Sequence, residues 1–98
     1  MIRLNRLIEL AGKKTEVFII DGEQIKEILI DVIGELYEPW SMGTSYDIWF
    51  YYCQTGEYEA VRKNSKELDC FLNLLFETKA EAEKHLLEKK KSKGGKLK

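Results

Sequence analysis

The sequence predicts an α+β protein: a small, curved, mainly antiparallel sheet of about five strands, open or barrel-like, with an N-terminal and a C-terminal helix. Three observations carry that reading. Apolar residues recur at helical spacing close to the N-terminus, the middle of the chain alternates with a period of two, and a helix-starting motif stands at residues 78–81. The chain has 98 residues, enough for one domain with a modest core. A single globular unit is expected over 1–91, followed by a lysine-rich tail at 92–98 whose composition favours disorder.

The first helix is placed at about 3–11, because Leu4, Leu7, Ile8 and Ala11 fall at i, i+3, i+4 and i+7 and share one face. Gly12 offers a C-terminal cap, and Lys13 and Lys14 suit the negative end of the helix. Val17-Phe18-Ile19-Ile20 is β-branched and aromatic, and Asp21-Gly22 supplies tight-turn residues, so a hairpin is expected there. The second strand runs from about 24 to 35. Its even positions, Ile28, Ile30 and Val32, are all apolar and should face the core; its odd positions, Glu27, Leu29, Asp31, Ile33 and Glu35, should face outward. Glu38 to Thr44 reads as a loop around the only proline, Pro39. The third strand, Tyr46 to Cys53, puts Tyr46, Ile48, Phe50 and Tyr52 on one face and Asp47, Trp49 and Tyr51 on the other. Gln54-Thr55-Gly56 then turns the chain into a fourth strand at about 57–62.

Residues 64–76 fit two periods. Leu68, Phe71, Leu72 and Leu75 suit a helix, whereas Cys70, Leu72, Leu74 and Phe76 suit a strand. Thr78-Lys79-Ala80-Glu81 just downstream has the form of a capping box, so the preceding element must stop by about 77. That abutting helix start, with Asn73 inside the apolar run, favours a strand at 70–76. The last helix is expected from 79 to about 91, with Ala82, Leu86 and Leu87 as a narrow apolar stripe.

The segment Leu75-Phe76-Glu77-Thr78-Lys79-Ala80-Glu81-Ala82-Glu83-Lys84-His85-Leu86 resembles the ending of short uncharacterised proteins from phages and mobile elements of Gram-positive bacteria: a strand followed by F-x-T-K-x-E-A-E-K-x-L. Val17 to Ile25 is similar to a hairpin near the start of those proteins. The resemblance implies a small α+β accessory protein and transfers no catalytic residue.

Charge is unevenly distributed. Residues 16–59 hold ten acidic side chains and one basic one, Lys26, a local net charge of −9 in a chain whose total is −1. Residues 1–14 carry +3, residues 60–88 carry −1 and residues 89–98 carry +6. The acidic stretch also holds both tryptophans. Such a surface favours a protein partner with a basic face and disfavours a phosphate backbone. No run approaches the ~20 apolar residues that span a bilayer. Met1-Ile2-Arg3-Leu4-Asn5-Arg6 leads into an amphipathic segment, not a secretory apolar core, so a cytoplasmic protein without membrane association is expected.

Catalytic and metal chemistry find little support. Cys53 and Cys70 show no CxxC spacing and are expected as small buried hydrophobes. His85, the only histidine, lies among lysines and glutamates and reads as a solvated residue. Asp21-Gly22-Glu23 has too few carboxylates for a calcium loop. A non-enzymatic chain without metal or cofactor is the expectation.

Two functional classes remain. In the first, the outward positions of strands two and three form a partner-binding face, with Leu29, Ile33, Trp49 and Tyr51 as anchors and Glu27, Asp31, Glu35 and Asp47 around them. The strand-two carboxylates recur ~13 Å apart at the strand rise, wider than phosphates along one DNA strand, so DNA mimicry is not implied. If the C-terminal helix covers this face, the same residues are simply core. In the second class, bases of single-stranded nucleic acid stack on the aromatics of Tyr46 to Tyr52 while the lysine tail adds sequence-independent affinity. The surrounding acids oppose that reading. The oligomeric state is not legible in the sequence.

Overall fold

The computed structural model describes residues 2–40 and 43–96 of the chain. Along them run α1 (Leu4–Gly12), β1 (Val17–Asp21), β2 (Gln24–Glu38), β3 (Gly43–Tyr52), β4 (Tyr58–Asn64), α2 (Ser65–Leu72), β5 (Leu75–Phe76) and α3 (Lys79–Lys96). The expected α+β class holds. All strand pairings are antiparallel and the order is β4-β3-β2-β1-β5, an open sheet rather than a closed barrel. On the inner face, α1 and α2 pack over Val17, Ile28, Ile30, Ile48 and Phe50. On the outer face, α3 packs over Ile20 and Phe76.

Leu7 and Leu10 carry the buried face of α1 into the core. Gly12 is the last helical residue, not the expected cap. The turn after it places Lys14 at φ 57, and the N–H groups of Lys14 and Thr15 donate to the carbonyls of Ala11 and Leu10 at 3.1 and 3.0 Å. β1 and β2 are joined through Gly22 and Glu23, with Asp21 opposite Gln24. Gly22 has φ 65, the conformation that a two-residue hairpin turn needs at its first central position. Between β2 and β3, Pro39 and Trp40 begin the turn, whereas Ser41 and Met42, which were expected in the same loop, lie outside the described residues.

β2 pairs with β1 from Gln24 to Ile28 and with β3 from Ile28 to Glu38. Its register to β3 slips once: Ile30 opposes Phe50, but Val32 opposes Trp49. Asp31 is the extra residue of a β-bulge, and one extra residue reverses the inside–outside parity of everything after it. Ile28 and Ile30 are buried, as expected. Val32 is not core; it is 51 % exposed on the outer face. Ile33 opposes the buried Ile48 and packs against the inner core, and Glu35 opposes Tyr46, so neither belongs to the outward set in which the sequence placed it.

Residues 65–76 form a helix and then a two-residue strand, not the expected strand over 70–76. The cause lies upstream. The Asn64 side chain accepts from the Glu67 N–H at 2.9 Å, and the Glu67 carboxylate accepts from the Asn64 N–H at 3.2 Å. This reciprocal cap starts α2 directly at the end of β4. Leu68, Phe71 and Leu72 then face the core, and Leu75 and Phe76 pair with Ile19 and Phe18.

The start of α3 follows its motif: Thr78 Oγ1 accepts from the Glu81 N–H at 3.2 Å. Ala82 is buried and Leu86 packs beside it, but Leu87 is exposed, so the stripe is narrower than expected. The helix continues to Lys96, past the expected end near 91. Lysine is a good helix former and suits the C-terminal end of the helix dipole. Arg6 of α1 donates to Glu77, just before α3, at 2.8 and 3.1 Å, and this holds the Glu77 carboxyl below its usual range.

Candidate interaction face

Among the described residues, α3 packs on the outer face at β1, β5 and the start of β2, where Phe18, Ile25 and Phe76 lie. Over β2, β3 and β4 the outer side chains stand in rows: Leu29, Tyr51 and Tyr58, then Val32, Trp49 and Ala60, then Gly34, Asp47 and Arg62. Trp49 is 42 % exposed and Tyr58 52 %, with Leu29 and Tyr51 half-buried beside them. Leu36 is also exposed and follows Val32 on the same parity of β2.

Contacts within the face hold these side chains in place. The Tyr58 ring centroid lies 6.0 Å from that of Trp49 and 6.4 Å from that of Tyr51, the second pair stacked. These separations fall in the range where aromatic pairs attract. The Tyr58 hydroxyl donates to Asp31 Oδ2 at 2.7 Å, and that bond raises the phenol pKa. Lys14 Nζ approaches Asp31 Oδ1 at 3.7 Å from the other side. Arg62 donates through Nε and Nη2 to Asp47 at 2.7 and 3.0 Å, a two-pronged pairing that lowers the Asp47 pKa.

Of the residues the sequence nominated, Leu29, Asp31, Asp47, Trp49 and Tyr51 meet here. Glu27 lies on the same parity of β2, opposite Phe18 of β1. Ile33 and Glu35 lie on the other side of the sheet, displaced by the bulge. Val32, Leu36, Tyr58 and Arg62 belong to the face and were missed. For Tyr58 and Arg62 the signal was present: alternation along β4, read back through the turn at 54–56, sets them opposite Tyr51 and Asp47. For Val32 and Leu36 nothing in the alternation of β2 marks the bulge. The rim is also less acidic than its composition suggests, because Asp47 is engaged by Arg62 and Asp31 by Tyr58 and Lys14.

The inner side of β3 is not an open stacking platform. Ile48 and Phe50 are buried, and Phe50 lies 6.3 Å from Phe71 of α2 between ring centroids. The Tyr52 hydroxyl donates to Glu59 at 2.8 Å, with Lys26 Nζ 5.2 Å from the ring centroid. Burial first, and then the Glu59 bond, push the Tyr52 phenol up to about 12.

Reactive groups stand apart from one another. Cys53 and Cys70 are both exposed, contrary to expectation: Cys53 lies in the turn after β3, and Cys70 lies on α2 away from its buried face. Partial burial, then the carboxylates of Glu27 and Glu16, raise the Cys53 thiol, which lowers its thiolate fraction. His85 is exposed on α3, its ring 5.1 Å from that of Phe76. A cleft of about 600 Å³ between the N-terminal segment and α2 has Arg3, Tyr46, Ser65, Asp69 and Asn73 as its polar lining, a set with no imidazole or thiol. Among the described residues, no group of three or more His, Cys, Asp or Glu is placed to hold a metal ion. No helix among them is long and apolar enough to cross a membrane. No protein-family model matches the chain, and no curated protein or solved structure matches it.

Proposed function

We propose that this chain is a non-enzymatic protein-binding factor, accessory or inhibitory in role, that docks its partner on the outer face of β2, β3 and β4. The observation that carries the proposal is the side-by-side exposure of Val32, Trp49 and Tyr58, with Leu29 and Tyr51 beneath them. Tryptophan and tyrosine in the middle of a patch supply most of the binding energy of many interfaces. Here their positions are set before binding by ring contacts and by the Tyr58–Asp31 bond, which lowers the ordering cost of association. Glu27 and the acidic body around the face favour a partner with a basic rim. The two exposed thiols suit the reducing cytoplasm, and the resemblance of residues 75–86 to mobile-element proteins suits an accessory or inhibitory role.

The test starts with affinity capture from the host, at low and high salt, to obtain the partner. In titrations with the purified partner, Trp49→Ala should weaken binding by about 30-fold, the loss of ~2 kcal/mol typical of a central aromatic, while global stability stays within ~1 kcal/mol. The double reversal Glu27→Lys with Asp31→Lys should slow association and flatten its salt dependence. Unchanged affinity in Trp49→Ala would remove this face as the site. If the double reversal instead creates tight binding to single-stranded oligonucleotides while no protein partner is captured, the nucleic-acid reading replaces this one.

A further inference from the structure

A second recognition element lies at the edge of the sheet rather than on its face. β1 accompanies β2 only as far as the Val17–Ile28 pair. Beyond it the chain turns away through residues 13–16 into α1, while β2 runs on to Glu38. From Leu29 to Glu38, β2 therefore has a hydrogen-bonded neighbour on one side only, β3, among the described residues. The vacated position is not open solvent. α1 flanks it, and a cleft of about 430 Å³ lies between them, with Ile8 and Ala11 on the helix side and Val32 and Ile33 on the strand side. Ile8 is 49 % exposed there, a large apolar residue on the flank of the helix face that Leu7, Leu10 and Ala11 turn to the core.

We infer that this groove takes an extended segment of a partner protein, which adds to the sheet as a strand in line with β1. The chemistry of the groove specifies three features of the occupant. A row of backbone N–H and C=O groups along the edge of β2 is a template on which another extended backbone can pair in register. The groove has apolar residues on both sides of the strand plane, Ile8, Ala11 and Ile33 on the inner side and Val32 on the outer side, with Lys14 and Asp31 also in its lining. The occupant therefore needs apolar side chains at successive positions opposite these apolar residues, with pockets reading side chains as in other strand additions. Asp31-Val32-Ile33-Gly34-Glu35-Leu36-Tyr37-Glu38 carries three acids and no base in sequence, and Lys14 lies 3.7 Å from the first of them. Two such strands side by side at ~4.8 Å would bring like charges together, so self-pairing through β2 is disfavoured and a segment carrying lysine or arginine is favoured. This inference shares Val32 with the outer-face reading but draws nothing from Trp49, Tyr51 or Tyr58, so Trp49→Ala separates the two.

The probe is a set of blocked nonapeptides in which lysine alternates with valine, isoleucine or leucine, titrated into the full chain at physiological salt and followed by amide chemical shifts. The expected result is a saturable shift centred on the amides of residues 31–37 and of Ile8 and Ala11. Binding should fall at least tenfold with N-methylation of alternate peptide amides, with glutamate in place of lysine, and in the Ile8→Lys variant, whose exposed side chain can change without opening the core. Trp49→Ala should bind these peptides as the wild type does. Four results would overturn the inference: no saturable shift up to millimolar peptide; N-methylated peptides that bind as well as the parents; shifts centred on Trp49 and Tyr58 and lost in Trp49→Ala, which would assign the binding to the outer face; or a free chain that sediments as a dimer with the amides of 31–37 protected from exchange, which would give the edge to a second copy.

Discussion

Lys14 shows how a single backbone angle shapes the molecule. At φ 57 it is the one non-glycine residue in the left-handed region among those described, and it sits where the chain must leave α1 and enter β1. That conformation costs an ordinary L-residue about 1 kcal/mol, and a β-branched one more. Its charge offsets little of that cost, because the 3.7 Å approach to Asp31 joins two exposed groups. Lys14→Gly and Lys14→Val both remove the ion pair, so their difference isolates the backbone term. The glycine variant should be more stable than the valine variant by at least ~1 kcal/mol in urea denaturation. Equal stabilities would mean that Lys14 does not occupy this region in solution. Asp31 is the complementary case. As the extra residue of the bulge it has no partner across the ladder, and its side chain instead ties Tyr58 of β4 to Lys14 of the α1–β1 turn.

Among the elements, α2 depends most on one interaction. β4 passes into it with no intervening loop, since Asn64 both pairs with Ser45 in the sheet and caps the helix. Asn64→Ala removes the acceptor for the Glu67 N–H and should cost about 1 kcal/mol, read as a lower urea midpoint with an unchanged m-value. A change below ~0.3 kcal/mol would show that the Leu68, Phe71 and Leu72 contacts hold α2 without its cap. This junction also shows why reading the sequence succeeded where it did. The hairpin at Gly22, the alternation of Tyr46 to Tyr52 and the Thr78–Glu81 box are local, and local chemistry decided them. Asn64-x-x-Glu67 is equally local and specifies α2, whereas the abutting Thr78 helix start and Asn73 within the apolar run favour the strand period. The bulge is different in kind. In Ile30-Asp31-Val32-Ile33 the two adjacent apolar residues fit either parity, so the alternation does not say which faces inward, and the slip shows only in the pairing with β3. The candidate face was therefore legible on β3, which has no irregularity, and half-legible on β2, where every assignment after Asp31 inverted.

At the scale of the whole molecule the two cores divide the labour unequally. The inner one joins α1, α2 and all the strands except β4's exposed side, while the outer one is a small cluster around Ile20, Phe76 and Ala82 that fixes α3 to one end of the sheet. The hold on α3 is concentrated in its first two turns: Ala82 and Leu86 pack, Leu87 is exposed, and the Thr78 cap and the Arg6–Glu77 bond lie at its start. A lysine-rich helix end of this composition is marginal in water on propensity alone. Deleting residues 92–98 should leave the melting temperature within about 2 °C of the full chain, since no apolar contact described in the cores is lost. Electrostatics supply the competing outcome. The deleted stretch carries Lys93, Lys96 and Lys98, and residues 16–59 carry a net −9, so a tail that folded back would be attracted to the acidic body. In that case the truncated chain would melt several degrees lower at low salt, and the difference would vanish near 0.5 M salt as the Debye length shrinks to a few ångströms. A salt-independent result is the one expected of a tail that is not attracted to the acidic body.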